Sequence, residues 1–305
     1  MTNKVVNNNK CPSVVTSVGI VGCGWLGSAL AHQLKKQGVA VLATRSNIDN
    51  TEQLKNQGIE AEVLSLPAEQ VRLNTHHIFK QQCLVIAITP QFRQGRLDYA
   101  DKVQQLVESA KVGNCVEQII LLSSSAIYNG LSGQVEEDST LDMLADKVLV
   151  LNQAEQAVLN FNRHNFNESR LNDDVANKKA YVLRLAGLVG SKRHPGKFLL
   201  NGRMLKSPQA IVNLIHQQDA VGLIQALLQS DICGGIFNGV SSTQVTKKQY
   251  YQAAASALQL PTPRFEENDL LSENDPKVVS GKKTLAALNY SFVYDDLLAW
   301  LEQAE

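Results

Sequence analysis

Three glycines in the segment Gly22-Cys23-Gly24-Trp25-Leu26-Gly27 constrain the fold of this chain more than any other feature. The segment follows the apolar run from Val18 to Val21, which is typical of a buried strand. Apolar residues then recur at the spacing of one helical face, at Leu26, Ala29, Leu30 and Leu34. In a strand–turn–helix of this kind the glycines allow a sharp turn, the approach of a pyrophosphate, and close packing of helix on strand. The pattern predicts a dinucleotide site, and a turn that binds no ligand is the alternative.

The charge balance excludes several classes of partner. The 305 residues include 29 acidic and 29 basic side chains, so no overall field attracts nucleic acid or an anionic membrane. No apolar run is long enough to span a bilayer, and the polar start from Met1 to Lys10 lacks the apolar core of a secretory signal. We therefore expect a cytoplasmic protein that binds neither nucleic acid nor membrane.

The cysteines predict neither disulfides nor a metal site. They are odd in number, widely scattered and unlike any metal-ligand spacing. The five are Cys11, Cys23, Cys83, Cys115 and Cys233.

Apolar segments beyond the first helix alternate with helical patterns, which predicts the α/β class and a Rossmann-type, doubly wound parallel sheet. The predicted strands cover residues 39–44, 60–64, 83–88 and 118–122. Ligands of such sheets bind beyond the carboxyl ends of the strands. Those ends bring Thr44-Arg45, Thr89-Pro90 and Ser123-Ser124-Ser125 to one crevice.

The end of the second strand predicts the form of the dinucleotide. A site for an unphosphorylated ribose usually carries an Asp or Glu there, about twenty residues after the glycines. This chain has Thr44, Arg45 and Ser46 instead. Because a guanidinium can bind a 2′-phosphate, we favour NADP over NAD. A solvated surface arginine is the alternative.

A series of motifs in the rest of the chain follows the order seen in one known superfamily. They are Ser123-Ser124-Ser125-Ala126-Ile127-Tyr128-Asn129-Gly130, Val135-Glu136-Glu137-Asp138-Ser139-Thr140, and residues 181–190, 212–220 and 236–240. Over roughly residues 16–300 the chain thus resembles the extended short-chain dehydrogenase/reductase superfamily, in particular its NAD(P)-dependent sugar epimerases and dehydratases.

The resemblance implies a cofactor site whose residues lie along the crevice. With the residues above, the predicted set is Gly22, Gly24, Trp25, Leu26, Gly27, Thr44, Arg45, Ser46, Thr89, Pro90, Ser123, Ala186 and Gly187. Ser65 stands where relatives commonly carry an Asp near the adenine, so that contact is expected to be weaker.

The resemblance also implies that Ser124 hydrogen-bonds the reacting group. The superfamily's catalytic Tyr-x-x-x-Lys pair is absent, because Lys147 and Leu151 occupy its two positions. A phenol needs such a lysine to act as a base at neutral pH. The chain is therefore similar to an atypical subgroup, in which Tyr128 and Lys147 are candidate substitutes. Alternatively, Tyr128 shapes the pocket wall and Lys147 is solvated.

The basic loop from Ser191 to Lys197 resembles the superfamily's substrate-facing turn. It makes Arg193 and His194 candidates for binding a phosphate or carboxylate, and a solvated loop is the alternative. Arg184, inside an apolar strand, is expected to form a structural ion pair, and Asp219 is suited to cap the helix that follows it.

The expected organisation is a flexible tail (1–15), an NAD(P)-binding domain (16–190) and a smaller, partly interleaved substrate-binding α/β lobe (191–305). Residues 162–179 are polar and are expected to form an exposed excursion. Two functions stay open. One is an oxidoreductase, epimerase or dehydratase acting on a small polar substrate, which includes nucleotide-linked ones. The other is a non-catalytic NADP(H)-binding regulator or redox sensor. A homodimer is compatible with either.

Overall fold

The computed structural model describes residues 15–162, 178–200, 204–266 and 276–303. The predicted tail and the predicted polar excursion fall almost entirely outside these residues.

The elements follow the predicted alternation of strands and helices. The strands are β1 (Ser17–Val21), β2 (Ala40–Arg45), β3 (Glu60–Val63), β4 (Cys83–Ile86), β5 (Gln118–Ser124), β6 (Gln134–Val135), β7 (Lys179–Leu185), β8 (Gly187–Val189), β9 (Leu214–His216), β10 (Gly234–Gly239) and β11 (Val278–Val279). The helices are α1 (Trp25–Lys36), α2 (Ile48–Asn56), α3 (Gln70–Asn74), α4 (Tyr99–Val112), α5 (Asp146–Leu159), α6 (Gln217–Leu228), α7 (Lys247–Ala257), α8 (Lys282–Leu288) and α9 (Leu297–Gln303).

Seven strands form one sheet in the order β10-β7-β5-β4-β1-β2-β3, and every neighbouring pair is parallel. Strands buried on both faces need continuous apolar sequence, which explains why β1, β4 and β5 lie almost wholly inside the core. The predicted Rossmann-type fold is confirmed. Because the chain order reverses between β1 and β4, a crevice opens where the carboxyl ends of these strands diverge.

The helices pack on the two faces of the sheet. Helix α4 packs against both α3 and α5, and α1 packs against α6. Helix α6 and strand β10 come from the C-terminal third of the chain, which thus contributes to the main sheet. In the part of the chain that the structure describes, no helix is long and apolar enough to cross a membrane.

A buried ion pair joins the centre of the sheet to α5. The Arg184 guanidinium on β7 donates to both carboxylate oxygens of Glu155, at 2.7–3.1 Å, and both side chains are almost fully buried. The Ser123 hydroxyl donates to the same carboxylate at 2.6 Å. The predicted structural ion pair of Arg184 is confirmed, and it ties two strands to one helix.

The ion pair extends into a wider polar network. Arg184 also donates to the Tyr128 hydroxyl and to the backbone carbonyl of Glu137. The Tyr128 hydroxyl donates in turn to the Asn238 side chain on β10, at 2.8 Å. Burial acts to lower the pKa of Arg184, but the hydrogen bonds and charge of Glu155 outweigh it and the pKa is raised. The guanidinium therefore stays charged inside the core.

The C-terminal helices form a second, smaller apolar cluster around Trp300 and Tyr250. His216, and not Asp219, caps α6, since its ring nitrogen accepts from the Gln218 amide. Asp219 instead accepts hydrogen bonds from the amides of residues 293 and 294. The predicted cap is therefore wrong, because this carboxylate is used to hold the C-terminal segment against α6.

Replacing Glu155 by Ala should destabilise the protein strongly, because it leaves the Arg184 charge buried without its partner. We expect the free energy of unfolding in urea to fall by about 3–5 kcal/mol. Glu52→Ala is the matched control, since Glu52 pairs with Lys55 on the exposed face of α2. It should cost less than about 1 kcal/mol. Equal losses in the two variants would contradict a stabilising role for the buried pair.

Candidate functional site

The turn between β1 and α1 requires glycine at two positions. Gly22 has a φ of +82°, and a Cβ atom there would lie 2.8 Å from Cγ2 of Ile88. A Cβ on Gly27 would lie 3.2 Å from Cγ2 of Ile20, so its absence lets α1 pack closely on β1. These are the roles that the sequence predicts for the first and third glycines.

Thr44, at the end of β2, holds this turn in place. Its side-chain oxygen accepts from the Gly22 amide at 3.3 Å, and its carbonyl accepts from the Cys23 amide at 2.9 Å. The side chain is buried and does not line the crevice. Thr44 thus supports the turn, and its predicted contact with the cofactor stays a prediction.

The start of α1 is open to an anion. Gly24 is the N-cap residue and has no side chain to bind the first amides, and the first turn carries no acidic residue. The first N–H groups of a helix lack partners within the helix, and they lie at the positive end of its dipole. The turn thus presents donors and a partial positive charge to the crevice, which suits a phosphate.

Two cavities meet at the glycine turn and share Gly22, Gly24 and residues 87–89. The first, here called the apolar cavity, has a volume of about 340 Å³. It is lined by Gly22, Gly24, Trp25, Leu26, Gly27, Ala87, Ile88, Thr89, Pro90, Tyr99, Leu122, Ser123, Ser124, Leu151, Leu185, Ala186, Leu188 and Arg193.

The second, here called the basic cavity, has a volume of about 390 Å³. It is lined by Val21, Gly22, Gly24, Arg45, Ser46, Leu64, Ser65, Leu66, Ala87, Ile88, Thr89, Gln91, Arg96 and Lys102. Three of these residues are cationic and none is acidic. A long ligand with a central diphosphate could therefore lie across the turn, with one end in each cavity.

The Arg45 guanidinium lies against the glycine turn, where it donates to the Cys23 carbonyl at 2.8 Å. Its Nη1 atom is 3.5 Å from the position that a Cβ on Gly24 would take. Arginine has five N–H donors, so this single bond leaves others for a ligand. The side chain is thus held at the boundary between the turn and the basic cavity.

Arg96 and Lys102 share one acidic partner at the edge of the basic cavity. Asp98 accepts from Arg96 at 2.6 Å and from Lys102 at 3.0 Å. Hydrogen bonds from Arg96 and then from Lys102 lower the pKa of Asp98 to about 2. The carboxylate is therefore ionised at neutral pH and cancels one of the two positive charges.

Most predicted cofactor residues line one of the cavities. They are Gly22, Gly24, Trp25, Leu26, Gly27, Arg45, Ser46, Thr89, Pro90, Ser123 and Ala186. Gly187 is not among the lining residues; it lies where β8 pairs with β9, and its contact with the cofactor stays a prediction. Ser123 reaches the cavity, but its hydroxyl is already bound to Glu155.

Of the three catalytic candidates, only Ser124 lines the apolar cavity. Its side-chain oxygen accepts from the Ala126 amide at 3.1 Å, which leaves the hydroxyl proton to a ligand. The other two lie elsewhere: Tyr128 is fully buried in the Arg184 network, and Lys147 is exposed in the first turn of α5. Neither is among the residues that line the apolar cavity, and their catalytic roles stay predictions.

The two residues predicted to bind the substrate, Arg193 and His194, lie in different surroundings. Arg193 lines the apolar cavity, and its guanidinium lies 5.0 Å from the centre of the Trp25 ring. His194 is buried and lines neither cavity; its ring packs on Trp300 and accepts from the Gly196 amide. Burial lowers the pKa of His194. Its role in substrate binding stays a prediction.

Several site residues escaped the sequence analysis. Tyr99 belongs to an apolar helical pattern, which predicts only core packing. Arg96 and Lys102 reach the basic cavity from α4 and the loop before it. No motif indicates these contacts, although α4 is the first helix after the carboxyl end of β4 and could have suggested them.

No family model matches this chain. It is 30% identical over 285 residues to protein YeeZ of Escherichia coli K12, covering 92% of this chain and 97% of YeeZ. Among solved structures it is similar to a UDP-glucose 4-epimerase of Thermotoga maritima with UDP-glucose, with a TM-score of 0.75, 13% identity, and coverage of 94% and 97%. It is also similar to a UDP-glucuronic acid 4-epimerase of Bacillus cereus in complex with NAD, with a TM-score of 0.71, 17% identity, and coverage of 95% and 97%. At these identities the solved structures establish a shared fold.

Gly22→Ala should destabilise the protein more than Gly38→Ala, although both place a side chain at a positive φ. A side chain at this φ costs about 1–2 kcal/mol, and the contact with Ile88 adds about 1–3 kcal/mol. Gly38→Ala is the control, because Gly38 has a φ of +79° and nothing within 4 Å of its Cβ position. Urea unfolding of the two variants measures the difference. Equal destabilisation would show that the contact with Ile88 adds no cost to that of the positive φ.

Proposed function

This chain belongs to the same family as protein YeeZ of Escherichia coli, and on that premise we propose that it is an NADP(H)-binding protein of the cytoplasm, with the glycine turn as its diphosphate site. The proposal rests mainly on the open start of α1. This helix start lies between the two cavities, and the turn before it has no Cβ at Gly22 or Gly24. A dinucleotide is a ligand with two ends joined by a diphosphate, and this arrangement matches it.

Each part of the cofactor has suitable residues. The first amides of α1 would hold the diphosphate, the basic cavity would hold the adenosine, and the apolar cavity would hold the nicotinamide. Apolar side chains such as Leu122 and Leu185 provide the surface against which a flat ring packs. When bound, the nicotinamide ring would accept or donate a hydride.

The basic cavity supports NADP over NAD. Its cations are Arg45, Arg96 and Lys102; Asp98 offsets one of these charges but is not a lining residue, so a net positive charge remains for a 2′-phosphate. Arg45 extends from the end of β2, where a carboxylate would bind an unphosphorylated ribose. NAD is the alternative, and the complex of the similar B. cereus epimerase with NAD supports it.

For the reaction, we propose an oxidoreductase, epimerase or dehydratase acting on a small polar substrate. The fold shared with UDP-sugar epimerases supports a nucleotide-linked sugar as the substrate class. The Ser124 hydroxyl would donate to the reacting oxygen, and Arg193 would bind an anionic part of the substrate near the opening of the cavity. The chemistry would differ from that of a Tyr-x-x-x-Lys enzyme, because the fully buried Leu151 lines the cavity from α5.

A specific observation favours a second candidate, a non-catalytic NADP(H)-binding regulator. Among the residues that line the apolar cavity, the titratable side chains are Tyr99 and Arg193. Neither is an ordinary acid or base at neutral pH. Such a cavity could bind the nicotinamide and report its redox state without turning over a substrate.

The NADP proposal predicts a clear difference between two reduced cofactors. NADPH should bind at least about tenfold more tightly than NADH by calorimetry, since charge-assisted hydrogen bonds to the extra phosphate are worth about 1.5–3 kcal/mol. Arg45→Ala should remove most of this difference. Arg72→Ala, at an exposed position of α3 outside both cavities, should leave it unchanged. Equal affinities for the two cofactors in the wild-type protein would favour the NAD alternative.

The enzyme hypothesis predicts turnover that depends on Ser124. NADPH oxidation or NADP⁺ reduction should be followed with UDP-sugars and small carbonyl compounds. Ser124→Ala should lower kcat by about 10²-fold, as expected for loss of a hydrogen bond to a developing charge, without weakening NADPH binding. Ser125→Ala is the matched control, because this neighbouring serine does not line the apolar cavity. Wild-type protein that binds NADPH but turns over no substrate would favour the regulator.

A further inference from the structure

The phenol of Tyr99 is buried at the wall of the apolar cavity. Tyr99 lies in the first turn of α4, is 1% exposed and lines this cavity. Within the part of the chain that the structure describes, its hydroxyl has no hydrogen-bond partner. Two other buried tyrosines are satisfied, since the Tyr128 hydroxyl donates to Asn238 and the Tyr181 hydroxyl to the carbonyl of Ile232. The hydroxyls of Tyr99 and Tyr250 are not, and of these two residues Tyr99 lines the apolar cavity.

A buried hydroxyl without a partner destabilises the protein, because it loses its bonds to water and gains none in return. The cost disappears when a ligand brings an acceptor to the same place. Tyr99 lines a cavity large enough for part of a ligand. The other hydroxyls in that lining differ from it. Ser123 is bound to Glu155, and Thr89 is exposed and open to water.

The protonation state of Tyr99 limits what it can do. Burial raises the pKa of the phenol, and the negative charge of Glu155 raises it further. The hydroxyl therefore keeps its proton at neutral pH and can donate a hydrogen bond, but it is not a base. The ligand atom that fits it is an acceptor, such as a sugar or carbonyl oxygen.

The side of the cavity formed by α5 offers a ligand no hydrogen-bond donor. Helix α4 packs against α5, and the α5 residue lining the same cavity is Leu151, which offers no polar atom. A nicotinamide riboside in the cavity would carry hydroxyl and amide oxygens past this apolar wall. Tyr99 and Ser124 are then the side chains of the inner lining with a hydroxyl proton to donate.

We propose that Tyr99 is a cofactor-binding residue, whose hydroxyl donates a hydrogen bond to an oxygen of the nicotinamide riboside. This inference rests on the proposed function, because it requires that the apolar cavity hold the nicotinamide end. It assigns the riboside a polar contact on α4, at the cavity wall where α5 supplies only a leucine.

The test uses Tyr99→Phe, which removes one oxygen and keeps the ring. Its affinity for NADPH should fall about five- to tenfold, the loss expected for one hydrogen bond. Its affinity for adenosine 2′,5′-bisphosphate, which lacks the nicotinamide riboside, should equal that of the wild type. Calorimetry with both compounds therefore separates the two ends of the site.

Tyr250→Phe is the matched control. The Tyr250 hydroxyl is also buried without a described partner, but it lies in the C-terminal cluster and lines neither cavity. Its removal should leave the affinity for both compounds unchanged. In thermal unfolding without ligand, neither variant should be less stable than the wild type, because each loses an unsatisfied polar group.

The outcomes are distinct. The inference is overturned if Tyr99→Phe binds NADPH as tightly as the wild type, or if it weakens NADPH and adenosine 2′,5′-bisphosphate equally. In either case the proposed cofactor site stands. Wild-type protein that binds neither compound overturns the proposed function and this inference together.

Discussion

The site depends on the close approach of two backbone segments at the end of β1. Gly22 lies against Ile88 with no room for a Cβ, and Thr44 binds the amides of the turn from the other side. The turn is thus held between the ends of β4 and β2. This contact places the start of α1 in the crevice, where its free amides face the two cavities. A side chain at Gly22 would separate the strands as well as block the ligand.

Buried charge decides which polar residues remain for function. The Arg184–Glu155 pair requires hydrogen bonds to offset its desolvation, and it obtains them from Ser123 and Tyr128. Two hydroxyls that the sequence analysis assigns to the site, Ser123 for the cofactor and Tyr128 for catalysis, are thereby bound within the core. Ser124 and Tyr99 are lining residues of the apolar cavity whose hydroxyl protons are not used in this network.

The C-terminal third of the chain is joined to the glycine turn by direct contacts. The Gln217 side chain donates to the Trp25 carbonyl at 3.0 Å, and Gly190 approaches the Trp25 ring so closely that a Cβ would lie 3.1 Å from it. Arg193 lies over the same ring. Trp25 therefore contacts both parts, since it begins the helix whose open start lies at the two cavities and it packs against Arg193 in the loop after β8.

The sequence by itself determined the order of strands and helices, the position of the glycine turn and the strand ends that form the crevice, because these features depend on local periodicity and backbone freedom. It also predicted that Arg184 would be paired and that Arg45 would lie at the crevice. Only the tertiary structure decided which side chains have partners. Tyr128 and Asn238 are 110 residues apart, and no local pattern shows that their hydroxyl and amide bond each other in the core. For the same reason Tyr99, which the helical pattern assigns to the core, becomes a candidate ligand contact only because the folded chain leaves its hydroxyl without a described partner and places the residue in a cavity wall.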